Sequence, residues 1–547
     1  MKNKESISQE KITEVAASLL ARAATKYPSN YLGKIVSAFE VEQKQASKRA
    51  IASIIENILY AGEEAHCLCQ DTGVPTFHVY LNPGVAIKGD INTALTEATI
   101  KATEEVPLRK NVIEPFSYKN SGNNTGWGVP FIHYHYSSQP SPMKIRAELK
   151  GFGGEIKSSF DWIMTSSRNM ENAVLAYVLN SVILSKGEAC LPSFLGIGVG
   201  GYAAEAVFNA KNAIFRELSN TCSDKSLEKF EQRLFRCVNG LGLGTMSLGG
   251  AVSTLGVYLE RRGTHTAVSP VAVTHQCWAS RGSEALISGD EVSYITPHLE
   301  AAEVPELRNK VSQSLSESRF GGRVYELTTP VSTPDILKLR AGDIVYLNGK
   351  ICTSRDSAHR RMVENLEKRD NIPQAILSER VIFHCGPVVA QENGNWQVSA
   401  AGPTTSSRFT NDGALLVERG IFNVVIGKGT MGRKMLNALK GRGVYLMATG
   451  GCAVIYQKSI TKTDVEWLNL GYPEAVWIFD VGHFGPLVVG IDSEGNSLTE
   501  NVMEKVYENA REIYQDEGLN PHERYAQYPL TFAGLSLEEV IEKAKAS

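Results

Sequence analysis

Residues 66–75 read HCLCQDTGVP and place His66, Cys67, Cys69 and Asp71 within six positions. Groups of this kind could hold a metal, supply a reactive thiol, or form one corner of a larger site. A zinc site calls for a second local pair, such as C-x-x-C or H-x-x-x-H, and the sequence offers none here. The cysteines in comparable settings are remote. Cys190, in GEACLPSF, stands just before an apolar run and the turn GIGVGG; Cys277, in VTHQCWASRG, follows the apolar VSPVAV. Thiolates gathered from distant segments are the ligands of iron–sulfur clusters, whose spacing varies between families. Spacing alone leaves a cluster enzyme and a non-catalytic zinc or iron–sulfur protein both open. The other six cysteines, Cys67, Cys222, Cys237, Cys352, Cys385 and Cys452, are expected to be small buried apolar residues or surface thiols.

A second chemistry lies in the C-terminal half. Arg355 in CTSRDSAH, Arg408 in AGPTTSSR and Lys428 in GKGTMG each sit beside small or hydroxyl-bearing residues at a turn or strand end. Guanidinium forks bind carboxylates bidentately, and Ser and Thr add hydrogen bonds in little space. Three such turns in one half of the chain point to an anion site. GKGTMG (427–432) also matches G-x-G-x-x-G, after the strand-like FNVVI and before the helix-like RKMLNALK. The next strand, GVYLMATGG, ends in Thr-Gly-Gly where an acid for the ribose belongs. Phe422 occupies the first glycine position of a Walker loop. A nicotinamide-dependent oxidoreductase is nonetheless the rival reading from another enzyme class.

Stepping from these groups to what must position them, 547 residues exceed the size at which one hydrophobic core stops growing, so at least two domains are expected. Hydrophobic residues at 43% and a net charge of −3 describe an ordinary globular chain and give no reason to expect a nucleic-acid or membrane partner. No apolar run reaches the ~20 residues of a spanning helix. The charged N-terminus runs directly into an amphipathic helix, so an intracellular, cytoplasmic protein is expected. That helix spans 6–25, with Ser6 and Gln9 in a capping-box pattern. A second helix ends near Gly62 and delivers the chain to HCLCQDTGVP. PTFHVYL and FIHYHYS alternate like strands, INTALTEATIKATEEV reads as a helix, and 119–130 is a loop long enough to suggest function. Periodicity fades over 295–330. Beyond it the chain reads as a helix, a strand, an Asn348-Gly349 turn and another strand, then alternates strand and helix. The expected class is α/β with mixed α+β character: an N-terminal domain at 1–310 of helices and mixed sheets, a linker at 311–330, and a C-terminal α/β domain at 331–547.

CQDTG (69–73), VPLRKN (106–111) and GPTTSSR (402–408), in that order, resemble the class I fumarate hydratases and the related L-tartrate dehydratases, oxygen-sensitive iron–sulfur hydro-lyases. The first half resembles the alpha-type, cluster-binding unit and the second the beta-type, swivelling unit, fused here in one chain. The resemblance implies a [4Fe-4S] cluster on Cys69, Cys190 and Cys277, with one iron left open as a Lewis acid. It implies that Gln70 and Asp71 handle substrate beside the first ligand and that His265, in RRGTHTAV, is the active-site histidine. Arg109, Arg355, Arg408 and Lys428 fall at the positions that clamp the substrate carboxylates, Gly153 and Gly154 of KGFGGEIKS at the glycine-rich substrate loop, and Thr404 at the position of the base that removes the C3 proton. Asp71 then serves as acid or relay for the departing hydroxyl, supported by His265, and GKGTMG becomes a carboxylate-binding loop. The sequence departs from relatives at Leu191, where a proline is common, in KGFGGEIKS, where Gly-Gly-Gly-Ser is common, and at Trp278, which is closer to the tartrate branch. Fumarate and malate are the expected substrate pair, with tartrate or mesaconate as alternatives and a homodimer as the expected assembly.

Overall fold

The first helix forms at Gln9–Thr25 and its N-cap is Ser8, whose hydroxyl accepts the Lys11 amide. The cap therefore falls two residues after the expected Ser6. Ile7 and Ser8 pair in parallel with Ile87 and Lys88, which keeps the backbone extended up to the residue whose side chain can close the first turn. The helix buries Ile12, Val15, Ala16, Leu19, Leu20 and Ala23, the stripe that the helical period requires.

This computed structural model describes residues 6–546 other than 107, 139–140, 166–168, 219–223, 318–322, 369–370 and 527–531; Cys222 lies outside the described residues. The chain forms two compact units that interleave along it: Met1–Lys34, Ile55–Phe152 and Ala279–Gln313 in the first, and Ile35–Ile54, Gly153–Trp278 and Ser314–Ser547 in the second. Segment 153–278 falls in the second of these units, and its helices share a core with the chain's end. Val174, Leu175 and Val178 of helix Met170–Ser185 pack in one apolar cluster with Val502, Val506 and Tyr514 of helix Leu498–Asp516 and with Leu537 and Val540 of helix Leu537–Ala546. The expected linker at 311–330 carries the end of helix Val304–Glu317 and strand Val324–Thr328. Its buried Val304 and Val311 are seven residues apart, a two-turn repeat that the surrounding charges mask.

The first unit is built on a five-stranded sheet in the order Glu291–Tyr294, Gly282–Ser288, Met143–Lys150, Val74–Leu81, Phe131–Tyr136. All its pairings are antiparallel except the last. Phe77, Val79, Ile145, Ala147 and Ile287 pack into one core with the first helix and with helix Ile91–Glu105.

The second unit holds a four-stranded sheet in the order Ser159–Met164, Val268–Gln276, Ser193–Val199, Thr254–Arg261. It also holds a seven-stranded sheet in which Ile344–Thr353, Val381–Phe383, Val424–Gly427 and Val444–Ala448 run parallel as neighbours. The 16-residue strand Val476–Ile491 pairs antiparallel with both Val444–Ala448 and Ile344–Thr353, which closes these strands on themselves. Asn348-Gly349 makes no turn here: Ile344–Thr353 is one continuous strand with register shifts through this dipeptide. Pairing on both sides holds it straight, and Gly349, at φ 101°, has Thr329 Oγ1 2.5 Å from where a Cβ would stand. The fold is of the expected α/β class, and among the described residues no helix is long and apolar enough to cross a membrane.

Candidate active site

In the first unit the chemistry collects at one end of the sheet. Cys69, Gln70 and Asp71 precede strand Val74–Leu81, Gly151 and Phe152 follow its antiparallel neighbour, and Arg281 precedes the next strand. The Asp71 carboxylate accepts the Phe152 amide at 2.9 Å and lies 3.5 Å from the Asn111 amide nitrogen. Buried Arg281 donates to the carbonyls of Asp71 and Leu149. A Cβ on Gly151 would stand 2.6 Å from this guanidinium and 3.2 Å from the Asp71 carboxylate, so only glycine lets the strand end approach. Each residue of CQDTG has its own task. Cys69 is half-exposed, its thiol 3.5 Å from the Gln70 side-chain oxygen; Thr72 accepts the Arg109 amide at 3.1 Å; and a Cβ on Gly73 would press against the Leu149 backbone at 2.6 Å. The long loop is indeed used. Asn124, buried at φ 60°, accepts the Asn111 amide at 2.8 Å and donates to the Arg109 carbonyl at 3.1 Å.

In the second unit, strand register decides which residues meet. Phe194 pairs antiparallel with Gln276, so Cys190, just before strand Ser193–Val199, and Cys277, just after strand Val268–Gln276, leave the four-stranded sheet at the same end. Gly154 lies at this end too, so close to the His275 carbonyl that a Cβ would collide with it, and its Cβ position is 3.5 Å from the Cys277 amide. Four of the five parallel strands of the larger sheet end in Thr353, Phe383, Gly427 and Ala448, and beyond those ends follow Arg355, His384, Lys428 and Gly450. Crevices beyond the carboxyl ends of parallel strands are the common ligand sites of such sheets.

The two sets of ends converge on Lys428. Its ammonium donates to Cys190 Sγ at 2.8 Å and lies 3.7 Å from the Cβ position of Gly153. A Cβ on Gly450 would stand 2.8 Å from Cys190 Sγ, and the Gly450 carbonyl accepts the buried Trp278 indole N–H at 2.8 Å. Gly153, Gly154, Cys190, Cys277 and Lys428 are thereby brought together within this unit. Thr404 and Lys428 leave adjoining turns, the Lys428 amide donating to the Thr404 carbonyl at 3.3 Å. Arg408 donates to Thr404 Oγ1 at 3.1 Å and pairs with Asp356 at 3.4 Å; Arg355 is held by Glu474 at 3.4 Å.

His265 is not brought to this group. It sits exposed on the loop between Thr254–Arg261 and Val268–Gln276, where its Nδ1 accepts the Ala267 amide. The nine-residue strand Val268–Gln276 separates it from Cys277, about 30 Å along an extended chain. Sequence reasoning missed Asn111, Asn124, Arg281, Gly450, His384 and Ser406. Only the loop composition around Asn124 and the Thr-Gly-Gly ending that precludes a ribose acid carried any signal of them.

Among the described residues no three His, Cys, Asp or Glu side chains converge as a metal-holding group. The donor chemistry nevertheless suits a thiolate-held cofactor. Cys69, Cys190 and Cys277 lie outside any disulfide, Cys69 and Cys277 are half-exposed, and an ammonium stands against the sulfur of buried Cys190. Cys67 and Cys352, by contrast, are buried, and burial pushes their thiols up to about 12, which suits packing and opposes ligation.

The fumarate hydratase (fumerase) family profile matches residues 13–285, and the fumarase C-terminus profile matches residues 297–502. A Geobacillus stearothermophilus protein assigned as a class I fumarate hydratase is 33% identical over 509 residues, covering 90% of this chain and 96% of its own. Two Methanocaldococcus jannaschii proteins assigned as L(+)-tartrate dehydratase subunits divide the chain between them. The alpha subunit is 37% identical over 276 residues, 50% of this chain and 95% of its own; the beta subunit is 43% identical over 182 residues, 33% of this chain and 93% of its own. The chain belongs to the class I fumarate hydratase family, which includes the tartrate dehydratases, with the alpha- and beta-type parts in one polypeptide. Its reaction class is that of a hydro-lyase, and the nicotinamide reading of GKGTMG gives way.

Proposed function

We propose that this hydro-lyase hydrates fumarate reversibly to (S)-malate, with a [4Fe-4S] cluster held by Cys69, Cys190 and Cys277. The observation that carries the reading is the 2.8 Å contact of Lys428 with Cys190 Sγ, which sets a carboxylate-binding cation beside a ligand thiol. A bound cluster supplies an open, Lewis-acidic iron for the substrate's hydroxyl and carboxylate.

The chain's own residues do the rest. Lys428, Arg355, Arg408 and Arg109 neutralise the carboxylates and the enediolate-like charge that grows as the C3 proton leaves. Gly153 and Gly154 let the substrate approach the backbone. Thr404 takes the C3 proton; Arg408, donating to its oxygen, supplies the positive field that favours its alkoxide. Asp71, held by the Phe152 amide, and Gln70 handle the departing hydroxyl, with Asp71 donating the proton that turns it into water.

The homodimer expected from the family has support in His265. The length of strand Val268–Gln276 keeps this residue from Cys277 of its own chain, so the role the resemblance gives it is open to it only in a second copy. L-Tartrate is the second reading for the substrate, favoured by Trp278 after the third cysteine and by the tartrate dehydratase relatives, with mesaconate the remaining family alternative.

Anaerobic reconstitution with iron and sulfide, followed by assays on fumarate, malate, both tartrates and mesaconate, tests these statements together. A brown, air-sensitive hydratase with highest kcat/KM on fumarate is expected. A colourless protein, or activity that survives Cys277→Ser, refutes the cluster assignment.

A further inference from the structure

Beneath the turns that carry Thr404 and Lys428 lies a buried line of polar side chains that none of the roles above uses. His384 follows strand Val381–Phe383, and its ring Nδ1 lies 2.9 Å from Ser406 Oγ. Alongside them the phenol of Tyr445 donates to the Gly429 carbonyl at 2.9 Å. All three side chains are at most 1% exposed. The backbone around them is knitted to the same turns: the His384 amide donates to Ile426, the Thr404 amide to His384 and the Ser406 amide to Lys428, at 2.7–2.9 Å. Gly427 is the residue between, and a Cβ there would overlap Ser406 Oγ.

Donor and acceptor capacities give the His384–Ser406 contact a direction. The ring's other nitrogen is buried and unpartnered, and a buried N–H is left unpaired more rarely than a buried acceptor. The imidazole therefore carries its proton on Nδ1 and donates it to Ser406 Oγ. The ring is neutral: burial, with the neighbouring His359 and Arg408, holds its pKa well below the usual histidine value.

We propose that His384 is a positioning residue for the hydro-lyase reaction: its Nδ1–H, donated to Ser406, whose amide holds the Lys428 carbonyl, anchors the GKGTMG turn and so sets where Lys428 and Thr404 meet the substrate. The inference rests on those two residues acting at the substrate as proposed above. An error of about 1 Å in such groups is enough to cost about 10²-fold in rate.

The test uses the full chain, reconstituted anaerobically. His384→Leu is expected to lower kcat/KM about 10²-fold. His384→Asn, of nearly the same shape but with an amide N–H near the Nδ1 position, is expected to recover most of that loss. Ser406→Ala removes the single oxygen that accepts this N–H and is expected to shift kcat/KM in the same direction with an unchanged far-UV spectrum, which keeps the proposal testable if the leucine variant does not fold. Combining Ser406→Ala with His384→Leu should cost little more than His384→Leu alone, since both remove one contact. Imidazole NMR on histidine-labelled protein should show His384 as the neutral Nδ1–H tautomer between pH 6 and 8. An Nε2–H tautomer, an asparagine variant as impaired as the leucine variant, or a Ser406→Ala enzyme of wild-type kcat/KM overturns the proposal. Lys428→Ala, run alongside, separates the two layers: wild-type turnover in that variant refutes the substrate-binding reading itself and leaves the tautomer measurement standing on its own.

Discussion

Replacing Gly450 with alanine isolates the contact on which the second unit's part of the site depends. Gly450 is not among the glycines with positive φ, so alanine is permitted by its backbone and the perturbation is steric. The added methyl would stand 2.8 Å from Cys190 Sγ and 3.0 Å from Lys428 Cδ, against about 3.5–4.0 Å for relaxed non-bonded contact. Roughly 1 Å of relief has to come from somewhere. Gly450 cannot easily retreat, because its carbonyl holds the buried Trp278 indole and a Cβ on the adjoining Gly451 would already lie 2.8 Å from that ring. The sulfur and the lysine stem must give instead. Overpacking of this kind costs about 1–3 kcal/mol of stability. Moving a ligand thiol and a substrate cation by about 1 Å should cost about 10²-fold in kcat/KM, or about 2.7 kcal/mol of transition-state stabilisation. Anaerobic kinetics, iron content and thermal unfolding of Gly450→Ala measure all three. Wild-type kcat/KM with full iron content would show that the Cys190–Lys428 contact is incidental and that the reasoning from this glycine is wrong.

Gly62, exposed in helix Gln45–Glu64 with nothing within 4 Å of its Cβ position, is the matching control: Gly62→Ala should raise the unfolding midpoint, by about 0.5–1 kcal/mol in stability, without touching activity. Asn124→Ala removes two hydrogen bonds that hold the Arg109–Asn111 segment and leaves alanine at φ 60°; a loss of about 2–3 kcal/mol and a raised KM are expected, and a wild-type KM would dissociate Arg109 from substrate binding. Burial lowers His359 from 6.5 to about 4, so as pH falls from 6.5 towards 4 the unfolded chain takes up a proton that the folded protein refuses. The stabilisation is complete above pH 6.5 and is lost through that window, at up to about 1.4 kcal/mol per pH unit. Urea unfolding of His359→Gln should show a shallower decline over this range, and an unchanged slope would mean that the imidazole titrates normally in the fold.

The candidate residues of each unit differed in how far they could be read from sequence alone. CQDTG, GPTTSSR and GKGTMG are local: in each, a turn residue and its chemistry are neighbours in sequence, because a strand end or tight turn carries the functional group directly. Asp71 and Lys428 were visible for this reason. Arg281 and Gly450 were invisible, since an arginine in SRGSEA and a glycine in ATGG look the same whether they meet solvent or a functional side chain. The cap at Ser8 and the continuous strand through Asn348-Gly349 escaped for a related cause: pairing partners far along the chain, Ile87–Lys88 and Val476–Ile491, overrode local turn and cap preferences. Helix Met170–Ser185, buried along nearly its whole length, draws part of its cover from helices Leu498–Asp516 and Leu537–Ala546, more than 300 residues along the chain.

By itself the sequence determined the family, the reaction class and the identity of most chemical groups, because these depend on side-chain type within short motifs. Tertiary structure alone decided which groups meet. Antiparallel register put Cys190 and Cys277 at one end of a sheet and His265 at the other, and closure of the parallel strands lined up Arg355, His384, Lys428 and Gly450 beyond their carboxyl ends. Pairing register and sheet closure are properties of strands far apart in the chain, such as Phe194 with Gln276 and Ile344 with Val488, and no local pattern encodes them.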